Sequence, residues 1–542
     1  MIFGIHYMQS DPLRKSTLMT ASKYALAIDL GSGSVKAAVV SDSGEIVANS
    51  REPIVTYLAP NGGAEQDANQ WWRRAKRAAK NAVRDSGIDP ELIVAVCCDS
   101  QWSVVVPVGV DGQPLTNAIH WLDTRGGRYN RKIIAGFPGV KGYGLLKLLK
   151  WIRSTGLAPT RSGVDSLGHV LYIKNEHPDI YANTHKFLEP MDFLTSRLTG
   201  RITASQKTMA PFMIVENRKW GSQHYSEALL NLAGLDREKF PELISNDGIV
   251  GPLHSDAAAE LGLSSSPKVI SGITDSNASA IGSGAVYDYE SIIYIGTSLY
   301  MTCHVPFQKT DVAHMMTSLP SPFPSRYYLI GEQGPGGKCV EFFLNQVVYP
   351  DDVFNTGMMP DTAHLRFNIM ASQSPAGSNG LVFLPWLNGS IVPEEDSNVR
   401  GGFMNLSLKT NRGDMARSIM EGIAYNNRWT KEAAEKFVRR PMPFFRFSGG
   451  GALSDLWAQI HADVLKVPIH QVEDPVNATL RGAAFAGFTA LGLLDPGDIP
   501  NLVKIKRIFE PDKDRFLLYD KIYAQYRQLF KQNRKIFRAL NG

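Results

Sequence analysis

Two segments of this chain repeat one pattern. "IDLGSGSVKAAVV", from Ile28, reads as an apolar strand, a turn of glycine and hydroxyl residues, then a second apolar strand. "IYIGTSLYMTCHV", from Ile293, reads the same way. Gly31 and Gly296 stand 265 residues apart, nearly half of the 542-residue chain. A hairpin duplicated at that spacing predicts two similar halves, with a loop from each meeting in the cleft between them. Chance similarity of two hairpins is the competing reading. The length alone exceeds what one hydrophobic core serves, so two large domains are expected on independent grounds. The small-residue segment "SAIGSGAVYDYES", Ser279–Ser291, is the expected boundary. It divides the chain into residues 22–285 and 286–542, with residues 1–21 expected as a disordered extension.

Apolar β-rich runs at Ala25–Leu30, Val35–Val40, Ile93–Cys97 and Val104–Val108 alternate with helical patterns such as Trp71–Asp85, which ends at a glycine stop. That mixture is α/β. The C-terminal "LLYDKIYAQYRQLFKQNRKIF" carries apolar residues at helical spacing and is expected to dock on the body.

Charge and cysteine usage exclude several functions. Lys and Arg number 57 against 52 Asp and Glu, a net charge of +5 without a long basic run, so nucleic-acid binding is not indicated. No window reaches the roughly 18 consecutive apolar residues of a membrane span. The four cysteines (Cys97, Cys98, Cys303, Cys339) have no metal-like spacing, and dispersed thiols suit a reducing cytosol.

Four elements carry candidate chemistry. In the first hairpin, Asp29 ends a buried strand, where a carboxylate is costly without a cation or donors. Gly31 and Gly33 let backbone amides approach an anion, Ser32 and Ser34 add hydroxyls, and Lys36 adds charge. The loop matches neither a Walker A sequence nor GxGxxG before a helix. It is an ordinary turn or a strand-loop-strand phosphate site. "FRFSGGGALSDLWAQIHADVL", Phe445–Leu465, reads as a strand, Gly449-Gly450-Gly451, then a helix with Ser454 at its start and Trp457, Ile460 and Val464 on one face. It is a tight turn, or a seat for a flat ring or phosphate at a helix N-terminus. "VISGITDSNASAIGSG" places Asp275 between a strand and a helix, as an N-cap or as an acceptor of a hydroxyl proton. "AIHWLDTRGGR" carries Asp123 and Arg125, a surface ion pair or a pair for a polyhydroxyl ligand.

Together these elements resemble the FGGY carbohydrate kinase family over roughly Tyr24–Leu493. The Asp-Leu-Gly-Ser-Gly-Ser loop looks like the family's first phosphate motif, Gly296-Thr297-Ser298 like the second, and Phe447–Ala452 like its adenosine motif. "LYIKNEHPDIY", "FLEPMDFLTSRLTGRITAS", "GSNGLVFLPWLNG" and "NLSLKTNRGDMARSIMEGIAY" follow in the family's order. The resemblance implies a two-domain, actin-like ATPase (ribonuclease H-like) fold with nucleotide in the interdomain cleft. It implies transfer of the ATP γ-phosphoryl group to a sugar hydroxyl. Asp29 would hold Mg²⁺. Gly31, Ser32, Gly33, Ser34 and Lys36, with Gly296, Thr297 and Ser298, would grip phosphates. Gly449, Gly450, Gly451 and Ser454 would seat the adenosine. Asp275 would accept the proton. Gln101, Trp102, Asp123, Arg125, Ser276 and Glu65 are the implied substrate contacts.

"AEQD…WW" and "HWLDTRG" look most like the xylulose kinases of the family, implying a ketopentose such as D-xylulose. Kinases for ribulose-like or glycerol-like acceptors, and a non-catalytic binding member of the fold, are the alternatives. A cytoplasmic setting is implied. Oligomeric state is not legible, a homodimer being one option. Departures from the family pattern are Leu299 and Tyr300 after Gly-Thr-Ser, His169 and Tyr172 in the first signature, Asn405 in the second, and Gln101-Trp102 where xylulose kinases have Met-His.

Overall fold

The computed structural model describes residues 22–355 and 358–542. The extension expected over residues 1–21 lies outside them. Two sheets organise the chain. The first is seven-stranded and runs Ile249–Pro252, Lys268–Ile270, Ile93–Ser100, Tyr24–Leu30, Ser34–Ser41, Ile46–Pro53, with Ile273–Thr274 also pairing to Ile93–Ser100. The second is eight-stranded and runs Thr310–Asp311, Met316–Pro320, Tyr327–Pro335, Ser298–Val305, Ser291–Ile295, Phe445–Ser448, Ile469–Val472, Ile505–Phe509.

The repeated hairpin is the centre of both. Tyr24–Leu30 and Ser34–Ser41 pair antiparallel, as do Ser291–Ile295 and Ser298–Val305. In each sheet the hairpin's second strand pairs antiparallel with a third strand. Its first strand pairs parallel with a fourth. A fifth strand continues parallel and a sixth closes antiparallel. Six strands thus repeat in the same order and sense, which removes chance as the explanation of the echo.

Alternation along the first hairpin explains its burial on both sides. Leu26, Ile28, Leu30, Val35, Ala37 and Val39 face Trp71, Ala75 and Ala79 of the helix Ala68–Ser86. Ala25, Ala27, Ala38 and Val40 face Leu480, Ala483, Ala484 and Phe485 of the helix Ala478–Ala490. Strands covered on both faces read as continuous apolar runs, as these do. Helix Ala68–Ser86 starts at an Asp67 cap and ends at Gly87, whose φ of 61° makes it the stop expected from sequence. Of the run expected over Val104–Val108, only Val106–Val108 forms a strand.

The two halves are joined by more than the chain. Helix Ala478–Ala490 covers the first half's sheet, while Ala280 of helix Asp275–Gly282 packs on Tyr300, Tyr328 and Ile330 of the second. The two helices cross with their backbones in contact: a Cβ on Gly282 would fall 1.8 Å from the Ala478 carbonyl oxygen. The C-terminal helix Phe516–Asn541 docks as expected, burying Tyr519, Ile522, Tyr523, Tyr526 and Phe530. Burial of such side chains stabilises by about 1.5–3 kcal/mol each. Among the described residues no helix is long and apolar enough to cross a membrane.

Candidate active site

The two hairpins, the triple-glycine turn and the start of helix Asp275–Gly282 come together: Tyr294 feels the charges of Lys36, Asp29 and Asp275, and Gly449 and Gly451 pack on Ile295. Asp29, at the end of the first strand, is buried. Its Oδ2 accepts from Lys36 Nζ at 2.7 Å and from Thr479 Oγ1 at 2.7 Å. Strand register places Lys36 opposite Asp29 on one side and Asp99 on the other. Burial alone would lower the Lys36 ammonium, but Asp29, backed by Tyr294 and Asp99, holds it above its usual value.

Asp275 is not the helix cap. Thr274 is, its Oγ1 accepting from Asn277 N–H at 3.3 Å. Among the described residues, the Asp275 carboxyl takes only the Ser276 N–H, at Oδ1 and 2.6 Å, which leaves Oδ2 for other work. Burial and the charge of Asp29 push Asp275 up to about 7, against the pull of the Ser276 N–H and Lys36. Glu332, on Tyr327–Pro335, is pushed up to about 8 by burial and by Asp275. Burial, then Asp29, raises Asp99 well above the usual carboxylate range.

The glycines of the third loop separate into two kinds. Gly449 has φ of 82°, and a Cβ there would meet the Ile295 carbonyl oxygen at 2.5 Å. A Cβ on Gly451 would meet the Ile295 side chain at 2.7 Å. Packing against the second hairpin accounts for both. Gly450 has nothing within 4 Å, and neither does Gly33 of the first loop. These two backbones face open space, where a ligand can approach. Ser454 caps the following helix, accepting from Trp457 N–H at 3.0 Å, and its hydroxyl also meets Asn368 Oδ1 at 2.5 Å. In the loops themselves, Thr297 and Gly33 are exposed and Ser34 is buried, its Oγ accepting from Arg51 Nε at 2.9 Å. Gly31 and Gly296 close their turns by donating to Ser34 and Ser298 carbonyls, each at 3.0 Å.

Glu65, Asp123 and Arg125 do come together, but as a closed set rather than a surface pair. Asp123 is fully buried and accepts from Ala64 N–H and Arg125 N–H, both at 2.9 Å. Arg125 bonds Asp123 at 2.6 Å, Glu65 at 2.7 Å and Tyr172 Oη at 2.9 Å, and lies 4.3 Å over the Tyr172 ring. Both departures in the first signature land on this set. Tyr172 supports the Arg125 fork, and His169 Nε2 sits 3.2 Å from the Asp123 carbonyl oxygen. Asn405, the departure in the second signature, has φ of 70°, a conformation asparagine tolerates better than other side chains.

Gln101 is buried and donates to Gln66 Oε1 at 2.8 Å, Trp102 packs beside Tyr300 and Tyr328, and the Ser276 hydroxyl lies 3.1 Å from Thr274 Oγ1. Leu299 is buried. Tyr300 stacks on Tyr294 with centroids 4.6 Å apart and donates to Ser279 Oγ at 2.9 Å, tying the second sheet to helix Asp275–Gly282.

Five residues of the cleft escaped the sequence reading. Gln66 holds the first loop through its Nε2 donation to the Ser32 carbonyl at 2.9 Å. Trp121 donates to Ser32 Oγ at 2.9 Å. Both lie inside quoted motifs. Thr479 and Glu332 carried no local signal. Asp99 did, since it ends a buried strand as Asp29 does.

The chain matches the model of the FGGY family of carbohydrate kinases, N-terminal domain, over residues 24–282, and that of the C-terminal domain over 293–491. It is 27% identical over 519 residues to a xylulose kinase of Staphylococcus epidermidis, covering 94% of this chain and 97% of that one. Among solved structures, gluconate kinase from Lactobacillus acidophilus superposes with a TM-score of 0.81 at 23% identity, covering 96% of this chain and all of that one. The ligand-bound xylulose kinase from Lactobacillus acidophilus gives 0.79 at 23%, covering 94% and 98%. These likenesses show the fold, which is the two-domain, actin-like ATPase fold expected. With both domain models matched in order over most of its length, the chain belongs to the FGGY family of carbohydrate kinases.

Proposed function

We propose that this carbohydrate kinase transfers the γ-phosphoryl group of Mg²⁺-bound ATP to a hydroxyl of D-xylulose. The observation that carries the mechanism is Asp275. Released from capping by Thr274 and pushed up to about 7 by burial and Asp29, its carboxyl is poised near neutrality, where a general base works best. Oδ2 of Asp275 accepts the acceptor hydroxyl proton as the oxygen commits to phosphorus. Gly33 and Gly450 present backbone to the phosphates and adenosine from opposite halves. Gly31, Ser32, Ser34, Gly296, Thr297 and Ser298 complete the phosphate grip, and Lys36 holds Asp29 in place. Such a transfer leaves little covalent work to the protein, so positioning and charge stabilisation dominate.

The donors around Asp29 suit a hard cation: it is a buried carboxylate, bonded to one ammonium and one hydroxyl, beside further acids. Asp29 would hold Mg²⁺, which when bound supplies charge neutralisation of the phosphates.

Gln101, Trp102, Ser276 and the outward side of Glu65 form the sugar's side of the cleft, framed by Asp123 and Arg125. The xylulose kinase relatives support a ketopentose. ATP as donor, and four cysteines all buried and unpaired, suit a reducing cytoplasm.

The experiment is ADP release with D-xylulose, ribulose, glycerol and gluconate offered in turn. Xylulose giving the highest kcat/KM supports the proposal. Gluconate or glycerol ahead of both ketoses reassigns the acceptor, and no acceptor-dependent ADP at all overturns it.

A further inference from the structure

Asp99 lies opposite Asp29 on the adjacent parallel strand and has no part in the mechanism above. It is fully buried, yet neither carboxylate oxygen meets a hydrogen-bond donor among the described residues. A buried carboxylate left so is costly, and native folds rarely keep one without a use. Its neighbours narrow what satisfies it. Asp29 and Asp275 are acids themselves, and the nearby cation Lys36 bonds to Asp29 Oδ2. One proton shared between Asp29 and Asp99 would join one oxygen of each and leave the second Asp99 oxygen without a donor.

A hydrated divalent cation answers both needs at once, because it brings two positive charges and several O–H donors to one place. Magnesium retains several waters and takes one or two carboxylates directly. That fits a cleft where, among the described residues, no three acids converge closely enough to cage an ion themselves.

We propose that Asp99 is a positioning carboxylate for the divalent cation that accompanies the nucleotide, accepting hydrogen bonds from the metal's water ligands while Asp29 faces the metal. The proposal rests on the reading of Asp29 as the metal-side carboxylate. Asp99 then orients the hydrated ion from the floor of the cleft, and Thr479 and Lys36 fix the Asp29 oxygen beside it.

The test uses the full chain as wild type, Asp99→Asn and Asp29→Asn. Mn²⁺ is titrated in the presence of ADP and free Mn²⁺ is read by electron paramagnetic resonance. Calorimetry measures ADP binding without metal. Asparagine keeps the side-chain shape and still offers Asp29 an N–H, so a purely structural role for Asp99 survives the change. The expected result is Mn²⁺ affinity reduced about 10- to 100-fold in Asp99→Asn, the range for groups that orient a metal's ligands. Metal-free ADP affinity and melting temperature should not fall. Wild-type Mn²⁺ affinity in Asp99→Asn alongside impaired Asp29→Asn overturns the role of Asp99 alone. Wild-type affinity in both overturns the reading of Asp29 as well. Should Asp99→Asn not accumulate folded, Asp99→Ser decides by the same readouts.

Discussion

Thr479 donates its hydroxyl to Asp29 Oδ2 at 2.7 Å across 450 residues of sequence. The bond joins helix Ala478–Ala490 of the second half to the first hairpin of the other. The same oxygen accepts from Lys36, so one atom ties the closure of the two halves to the charge of the site. Thr479→Val keeps the shape and removes the donor. Bonds to charged groups contribute about 1.5–3 kcal/mol, so the variant should melt earlier by that amount in denaturant unfolding. KM for MgATP should rise, while KM for the sugar stays. An unchanged nucleotide KM would show that the bond is structural only.

Asp275 links activity to pH in a direction that its environment fixes. Burial and Asp29 raise its folded pKa from 3.8 to about 7. A carboxyl raised on folding contributes stability fully present below about pH 4, lost as pH rises through about 7. The ionised form needed for catalysis is therefore the less stable one. kcat should rise with pH through about 7 in the wild type. Asp275→Asn should lose about 10²- to 10⁴-fold in turnover, keep nucleotide binding, and lack that limb of the profile. Without ligand it should melt higher than wild type at pH 8 and lose that advantage as pH falls towards 4. Wild-type turnover in this variant would remove the assignment.

How far the sequence could be read follows from the range of each signal. The duplicated hairpin was legible because it is local: two apolar runs around a turn of glycine and hydroxyl residues, within about a dozen residues. Asp275 was not resolved locally, because an acid between strand and helix reads equally as a cap. Only the Thr274 to Asn277 bond frees it. Asp123 and Arg125 looked like a pair, yet their burial depends on Glu65 and Tyr172, which lie 60 and 47 residues from Arg125. The crossing of Asp275–Gly282 over Ala478–Ala490 is made at small residues, Ala278 and Gly282 against Ala478 and Gly482. Small residues alone do not name a partner.

Gly449 and Gly450 should respond oppositely to one methyl group. Gly449→Ala must hold φ of 82° and bring Cβ to 2.5 Å from the Ile295 carbonyl oxygen. It should unfold the second half or lower its stability by at least about 1–3 kcal/mol. Gly450→Ala meets nothing within 4 Å, so melting should stay near wild type. A nucleotide lying on that backbone would be displaced, and KM for ATP should rise with KM for sugar unchanged. Parallel melting curves and initial rates distinguish the two. Equal nucleotide affinity in Gly450→Ala would move the adenosine elsewhere.

Arg125→Lys tests whether the closed set frames the sugar. The guanidinium bonds Glu65, Asp123 and Tyr172 at once while stacking on the Tyr172 ring. A single ammonium keeps the charge but cannot reproduce the fork or the stack. Asp123, fully buried, would then lose part of its donor set. Breaking a buried pair outright costs about 3–5 kcal/mol, so retaining the charge should leave a smaller loss, read in urea unfolding. Because, among the described residues, the Glu65 side chain is anchored only by Arg125 and by Asn117 at 3.2 Å, the proposed sugar side should loosen with it. KM for the sugar should rise more than kcat falls, with KM for ATP unaffected. Tyr172→Phe, which removes one hydroxyl bond and keeps the ring under Arg125, should show the same signature at reduced size. If instead both variants altered the nucleotide KM, the set would belong to the phosphate side of the cleft.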